Sequence, residues 1–175
     1  MSAKKVVPPR GLRDAQGQWP RKPLRPERDY SRWDNPAAAR LYMELAGELT
    51  GRRYALGLSL RDLTAATGRS LSTLTSLEQG SAWPSWATLT DYATAVGTDI
   101  VVPGHEGEDV LLVLRRLMPR RIGESARAVA WAVGVSPTTL YARFREGGRP
   151  SSRVVLAVAC DIGCPVLVTD ALPAR

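Results

Sequence analysis

Residues 60–97 read LRDLTAATGRSLSTLTSLEQGSAWPSWATLTDYATAVG, and their punctuation decides the fold. Ser59 is placed to cap a helix over 60–67, with Leu63 and Ala66 facing inward. Gly68 follows, where a left-handed turn costs glycine little and other residues more. Ser70 opens a second helix, 71–79, which buries Leu74 and Leu77 and stops at Gly80. Pro84 and Ser85 begin a third, which buries Leu89, Ala93 and Val96 and ends at Gly97. The result is a set of short helices joined by tight turns.

Upstream, Asn35 and Pro36 make a good N-cap and first-turn pair. Leu41, Tyr42, Leu45, Ala46 and Leu49 recur at helical spacing, so a helix is expected to run to about Leu56, with Gly57 as its stop. Arg52 and Arg53 fall in its last turns, where cations favour the helix dipole. Residues 1–36 are different. Pro8, Pro9, Pro20, Pro23, Pro26 and Pro36 forbid a helix across the segment, and nine Lys/Arg face four Asp/Glu. An extended, basic, flexible arm is expected, with Trp19, Tyr30 and Trp33 able to tack it onto the folded part. Downstream, Ile100, Val101 and Val102 form a short apolar plug. PGHEG at 103–107 reads as a linker, and 109–118 as an amphipathic helix ended by Pro119.

Shifted by 66 residues, the chain matches itself without a gap, with twelve identities between 59–102 and 125–168. Ser59 falls on Ser125, Gly68 on Gly134, Ser70 on Ser136, Pro84 and Ser85 on Pro150 and Ser151, and Gly97 on Gly163. Caps, turn glycines and core positions are what a shared backbone requires, and chance similarity would not keep them in register. The copies part at one place. Leu77 and Glu78 are answered by Arg143 and Phe144, so the core contact is expected to move to Phe144, with the following loop repacked around Gly147 and Gly148.

With SLRDLTAATG, RSLSTLTSLEQG and PSWATLTDYATAVG in view, residues 41–97 resemble the Cro and phage-repressor type of helix-turn-helix regulator, the xenobiotic-response-element family. Residues 125–168 resemble it less closely: VSPTTLYARF keeps the turn and the helix start but lacks the Leu-Glu-x-Gly ending. The resemblance implies an all-α chain: two tandem small helical bundles, each with a helix-turn-helix, at 37–102 and 108–175, behind the arm. It implies sequence-specific binding of double-stranded DNA, with a short helix entering the major groove. Matched to the family, the DNA-facing candidates of the first copy are Arg61, Arg69, Ser70, Leu71, Ser72, Thr73 and Ser76. Leu71 suits a thymine methyl, the hydroxyls suit bases or phosphates, and the arginines suit phosphates. In the second copy the candidates are Arg127, Ser136, Pro137, Thr138, Thr139, Tyr141, Arg143 and Arg145. Caps alone would also account for Ser70 and Ser136, and a solvated face for Arg143 and Arg145.

The net charge of +7 divides as +5 over 1–36, −1 over 37–102 and +3 over 103–175. A basic arm and a basic second half fit a polyanion partner, although an arginine-rich background composition also accounts for them. No apolar run is long enough for a membrane span, and the N-terminus lacks the apolar core of a secretory signal. Cys160 and Cys164 are expected as small buried hydrophobes in a reducing, cytoplasmic setting, with no metal. No nucleophile–base pairing, phosphate loop or carboxylate cluster supports catalysis or a cofactor, and no separate sensory domain for a small-molecule ligand remains. The expected function is a transcriptional regulator, most readily a repressor of the phage-immunity kind, using both modules on one site. A homodimer is a possible form. In the alternative, only the first module binds DNA and the second serves dimerisation or partner docking. An antitoxin or accessory protein is a further rival.

Overall fold

The computed structural model describes residues 35–121, 129–130, 133–145 and 148–171. The basic arm and Arg127 therefore lie outside the described residues, as does Gly147. No helix among the described residues is long and apolar enough to cross a membrane.

The first helix, α1, spans Pro36–Ala55. Asn35 caps it, its side chain accepting from the Ala38 amide at 3.0 Å. Next come α2 (Leu60–Thr67), α3 (Leu71–Gln79) and α4 (Trp86–Ala95), each opened by a serine whose hydroxyl accepts from an amide three residues on. Gly68 takes φ 66° in the turn between α2 and α3, the left-handed angle its position calls for. Ala66, expected inward, is exposed: α2 is short and buries Leu63 alone.

Thr98–Val101 is a strand, β1, and Ile100, Val101 and Val102, the expected apolar plug, are buried at its end. Helix α5 (Val110–Arg121) follows and runs past Pro119, which was expected to end it. Then come α6 (Pro137–Arg143), α7 (Ser152–Asp161) and a second strand, β2 (Leu167–Asp170). β1 and β2 pair antiparallel, with Thr98 opposite Asp170 and Val101 opposite Leu167. The fold is thus mostly helical with one small sheet. Four-residue strands leave too short an alternation to be told from a buried plug in the sequence.

The core is one contiguous cluster reaching from α1 through β1 to α7. Helix α7 is buried on nearly every side, from Val154 through Ala159, as its unbroken apolar run requires. It packs against α1, α5 and α4. Helix α1 meets α7 more extensively than it meets α3, so its apolar face is covered mainly from the far half of the chain. The bundles at 37–102 and 108–175 are therefore not separate packing units.

The 66-residue offset reappears in space. Several core positions matched by it share their burial: Leu74 and Leu140 are both fully buried, as are Leu89 and Val155. Gly134 takes φ 70°, close to Gly68. Ser85 and Ser151 face each other in an isolated antiparallel bridge. The Trp86 amide donates to the Pro150 carbonyl and the Ser152 amide to the Pro84 carbonyl, each at 3.0 Å. These two bonds exchange when 66 is added to one set of numbers and subtracted from the other. Val101 and Leu167, opposed in the sheet, are also 66 apart.

Candidate nucleic-acid interface

Helix α3 is fixed at both ends and presents one face outward. At its start the Ser70 hydroxyl accepts from the Thr73 amide at 3.2 Å and sits 2.8 Å from Thr73 Oγ1. Leu74 and Leu77 anchor its inner face. At its end the buried Tyr42 hydroxyl donates to the Leu77 carbonyl at 3.1 Å and to that of Ala82 at 3.3 Å. Tyr42 also lies 5.0 Å, centroid to centroid, from the ring of Trp83, which makes Trp83 a packing residue beside the helix.

Glu78, in the last turn of α3, is the centre of a buried polar cluster. Arg53 grips it in a bidentate pair, Nε to Oε1 at 2.6 Å and Nη2 to Oε2 at 2.9 Å. Arg53 donates a third bond to the Leu58 carbonyl at 2.7 Å. The Tyr92 hydroxyl donates to Glu78 Oε1 at 2.5 Å. Burial works against the Arg53 charge, but the Glu78 carboxylate outweighs it and raises the guanidinium's pKa further. Burial, reinforced by the same carboxylate, pushes the Tyr92 phenol well above its ordinary range. The cluster ties α1, α3 and α4 together and sets the pose of α3. Its counterparts at the 66-residue offset are Pro119, Phe144 and Val158, none of them charged. Phe144 is fully buried, as expected from its spacing to Leu140.

The candidate residues fall as follows. Leu71 and Ser72 are exposed on the outer face of α3, Leu71 at 46%, with Thr73 and Ser76 half-buried beside them. Ser72, Thr73 and Ser76 line a shallow groove closed by Trp83 and Pro84. Ala82, Trp83 and Pro84 were not among the candidates, because nothing in their residue types marks them and only the fold brings them to α3. Arg61 is exposed on α2. Arg69 is not free for a phosphate in the same way: its Nε and Nη2 both donate to Asp91 Oδ2, at 3.0 and 2.6 Å. The N-terminus of α2 already holds an anion. Asp62 accepts from the Ser59 amide at 2.7 Å and from its hydroxyl at 2.6 Å, which holds the carboxyl below its usual pKa.

In the second half, Ser136 caps α6 as Ser70 caps α3, accepting from the Thr139 amide at 3.1 Å. Thr138, Tyr141 and Arg145 are exposed, and Pro137, Thr139 and Arg143 half-buried. The loop after α6 is tight: the Gly148 amide donates to the Arg145 carbonyl at 2.9 Å. A Cβ on Gly148 would overlap the Arg143 carbonyl.

Residues 44–102 match the family model of a helix-turn-helix domain. The match covers α2, α3 and the turn at Gly68, and it supports a DNA-binding regulator. Comparison with curated proteins and with solved structures finds no match.

Proposed function

We propose that the protein is a sequence-specific, double-stranded-DNA-binding transcriptional regulator of the Cro and phage-repressor type, without catalytic activity. It acts as a repressor by occupying its site with both α3 and α6. The observation that carries the reading is α3 itself. A serine-capped helix follows a left-handed glycine turn, is locked from behind by Arg53 and Tyr92 through its own Glu78, and offers Leu71 and Ser72 outward. Arg61, Arg143 and Arg145 supply charge for phosphates, and Leu71 and Thr138 reach base edges.

Anisotropy of a labelled random-sequence duplex across a salt series tests this. The logarithm of the binding constant should fall linearly with the logarithm of salt concentration. Arg61→Ala and Arg145→Ala should each reduce that slope by about 0.9. An unchanged slope in both variants, or no duplex binding at low salt, would refute the reading.

A second reading has one observation in its favour. Tyr141, a residue type enriched at protein–protein interfaces, is 46% exposed on the outer face of α6. There α6 binds a partner or a second copy, and Arg143→Ala with Arg145→Ala abolishes self-association while leaving DNA binding unchanged.

A further inference from the structure

Resting on the DNA-binding reading above, we infer that one chain fills two inverted, non-identical half-sites, doing alone what a homodimer does on a palindrome. In an antiparallel pair a local two-fold axis passes between opposed residues. When the opposed residues are each other's counterparts in a repeat, that axis exchanges the repeats. This happens at two separate places here. Ser85 faces Ser151 with reciprocal amide–carbonyl bonds on either side, and Val101 faces Leu167 in the sheet. Both are pairs 66 residues apart. The first bridge lies at the N-cap of α4, the helix that follows α3, and at the N-cap of α7, the helix that follows α6. The exchange therefore carries α3 onto α6.

Duplex DNA has two-fold axes perpendicular to its own, so a two-fold-related pair of reading helices meets half-sites of opposite direction. A direct repeat would need a translation, which antiparallel pairing excludes. The stoichiometry follows from the same contacts. An isologous dimer buries one patch of each copy against the same patch of the other. Here both patches belong to one chain, and the β1 pairing edge is already filled by β2. The half-sites must differ because the outward residues differ: Leu71 is answered by Pro137, Ser72 by Thr138 and Ser76 by Ala142.

Selection of bound duplexes from a random library with the full chain, followed by the mass of the complex in native mass spectrometry, tests this. The expected result is an imperfect inverted repeat bound by one chain. Inserting about five base pairs between the half-sites, half a helical turn, should lower affinity at least tenfold. Ser72→Ala should change base preference in one half-site only, and Thr138→Ala in the other. Both side chains are exposed, so neither change threatens the fold. A direct repeat, a single half-site, or two chains on a perfect palindrome would overturn the inference and leave DNA binding standing. No enrichment of any duplex would overturn both.

Discussion

Replacing Glu78 with methionine would leave Arg53, only 5% exposed, without its carboxylate. Two charge-assisted bonds of 2.6 and 2.9 Å disappear, and the Tyr92 hydroxyl loses its 2.5 Å acceptor. The Leu58 carbonyl and the face of the Tyr54 ring, 4.1 Å from the guanidinium carbon, would remain beside Arg53. Breaking a buried pair from one side costs about 3–5 kcal/mol, because the surviving charge stays desolvated. For a chain of this size, that is a fall in Tm of roughly 10–15 °C. Arg53→Met strands the carboxylate instead and should cost a similar amount. The double variant, Arg53→Met with Glu78→Met, buries no charge. It leaves Tyr92 without an acceptor, at about 1–3 kcal/mol, so its loss should be smaller than that of either single change. Urea denaturation of the four proteins closes the cycle, with an expected coupling of at least ~3 kcal/mol. The second half carries the uncharged Pro119, Phe144 and Val158 at these positions, and Phe144 and Val158 are fully buried. A double variant whose loss equals the sum of the two singles would refute the claim that each charge is there to compensate the other.

Alkaline pH should weaken the same cluster. The Tyr92 phenol titrates above its unfolded value of about 10, so its contribution is complete below that pH and is lost as pH rises towards the folded value. Tyr92→Phe should be less stable at neutral pH yet lose less between about pH 10 and 11.5; an equal pH slope in the two proteins would exclude Tyr92 as the source. Gly148→Ala forces a Cβ into the Arg143 carbonyl and should destabilise the chain by about 1–3 kcal/mol. Thermal unfolding reads this directly, and a wild-type Tm would show that the loop after α6 relaxes freely.

Much of the helical framework was legible because its signals are local. Asn35, Ser59 and Ser70 each cap the helix they were expected to cap, and α2 and α3 begin and end where their serines and glycines say. Phe144 was legible from its spacing to Leu140. What the sequence withheld depends on partners distant in the chain. β1 is a strand only because β2 lies beside it. Nothing near Arg69 in sequence announces Asp91, 22 residues on, nor does Arg53 announce Glu78. The positions of the serine hydroxyls and basic side chains along the helices are legible in the sequence; which arginines are already engaged, as Arg69 is with Asp91, is not.

The dependence of α1 on α7 sets a clock during synthesis. Helix α1 ends at Ala55 and its main covering surface begins at Ser152, roughly a hundred residues later. At typical translation rates the ribosome needs about 5–20 s to add that length. Throughout that interval α1 has emerged with Tyr42, Leu45 and Leu49 awaiting part of their cover. A chaperone that binds short apolar segments would meet this nascent chain at α1 and release it once α7 emerges.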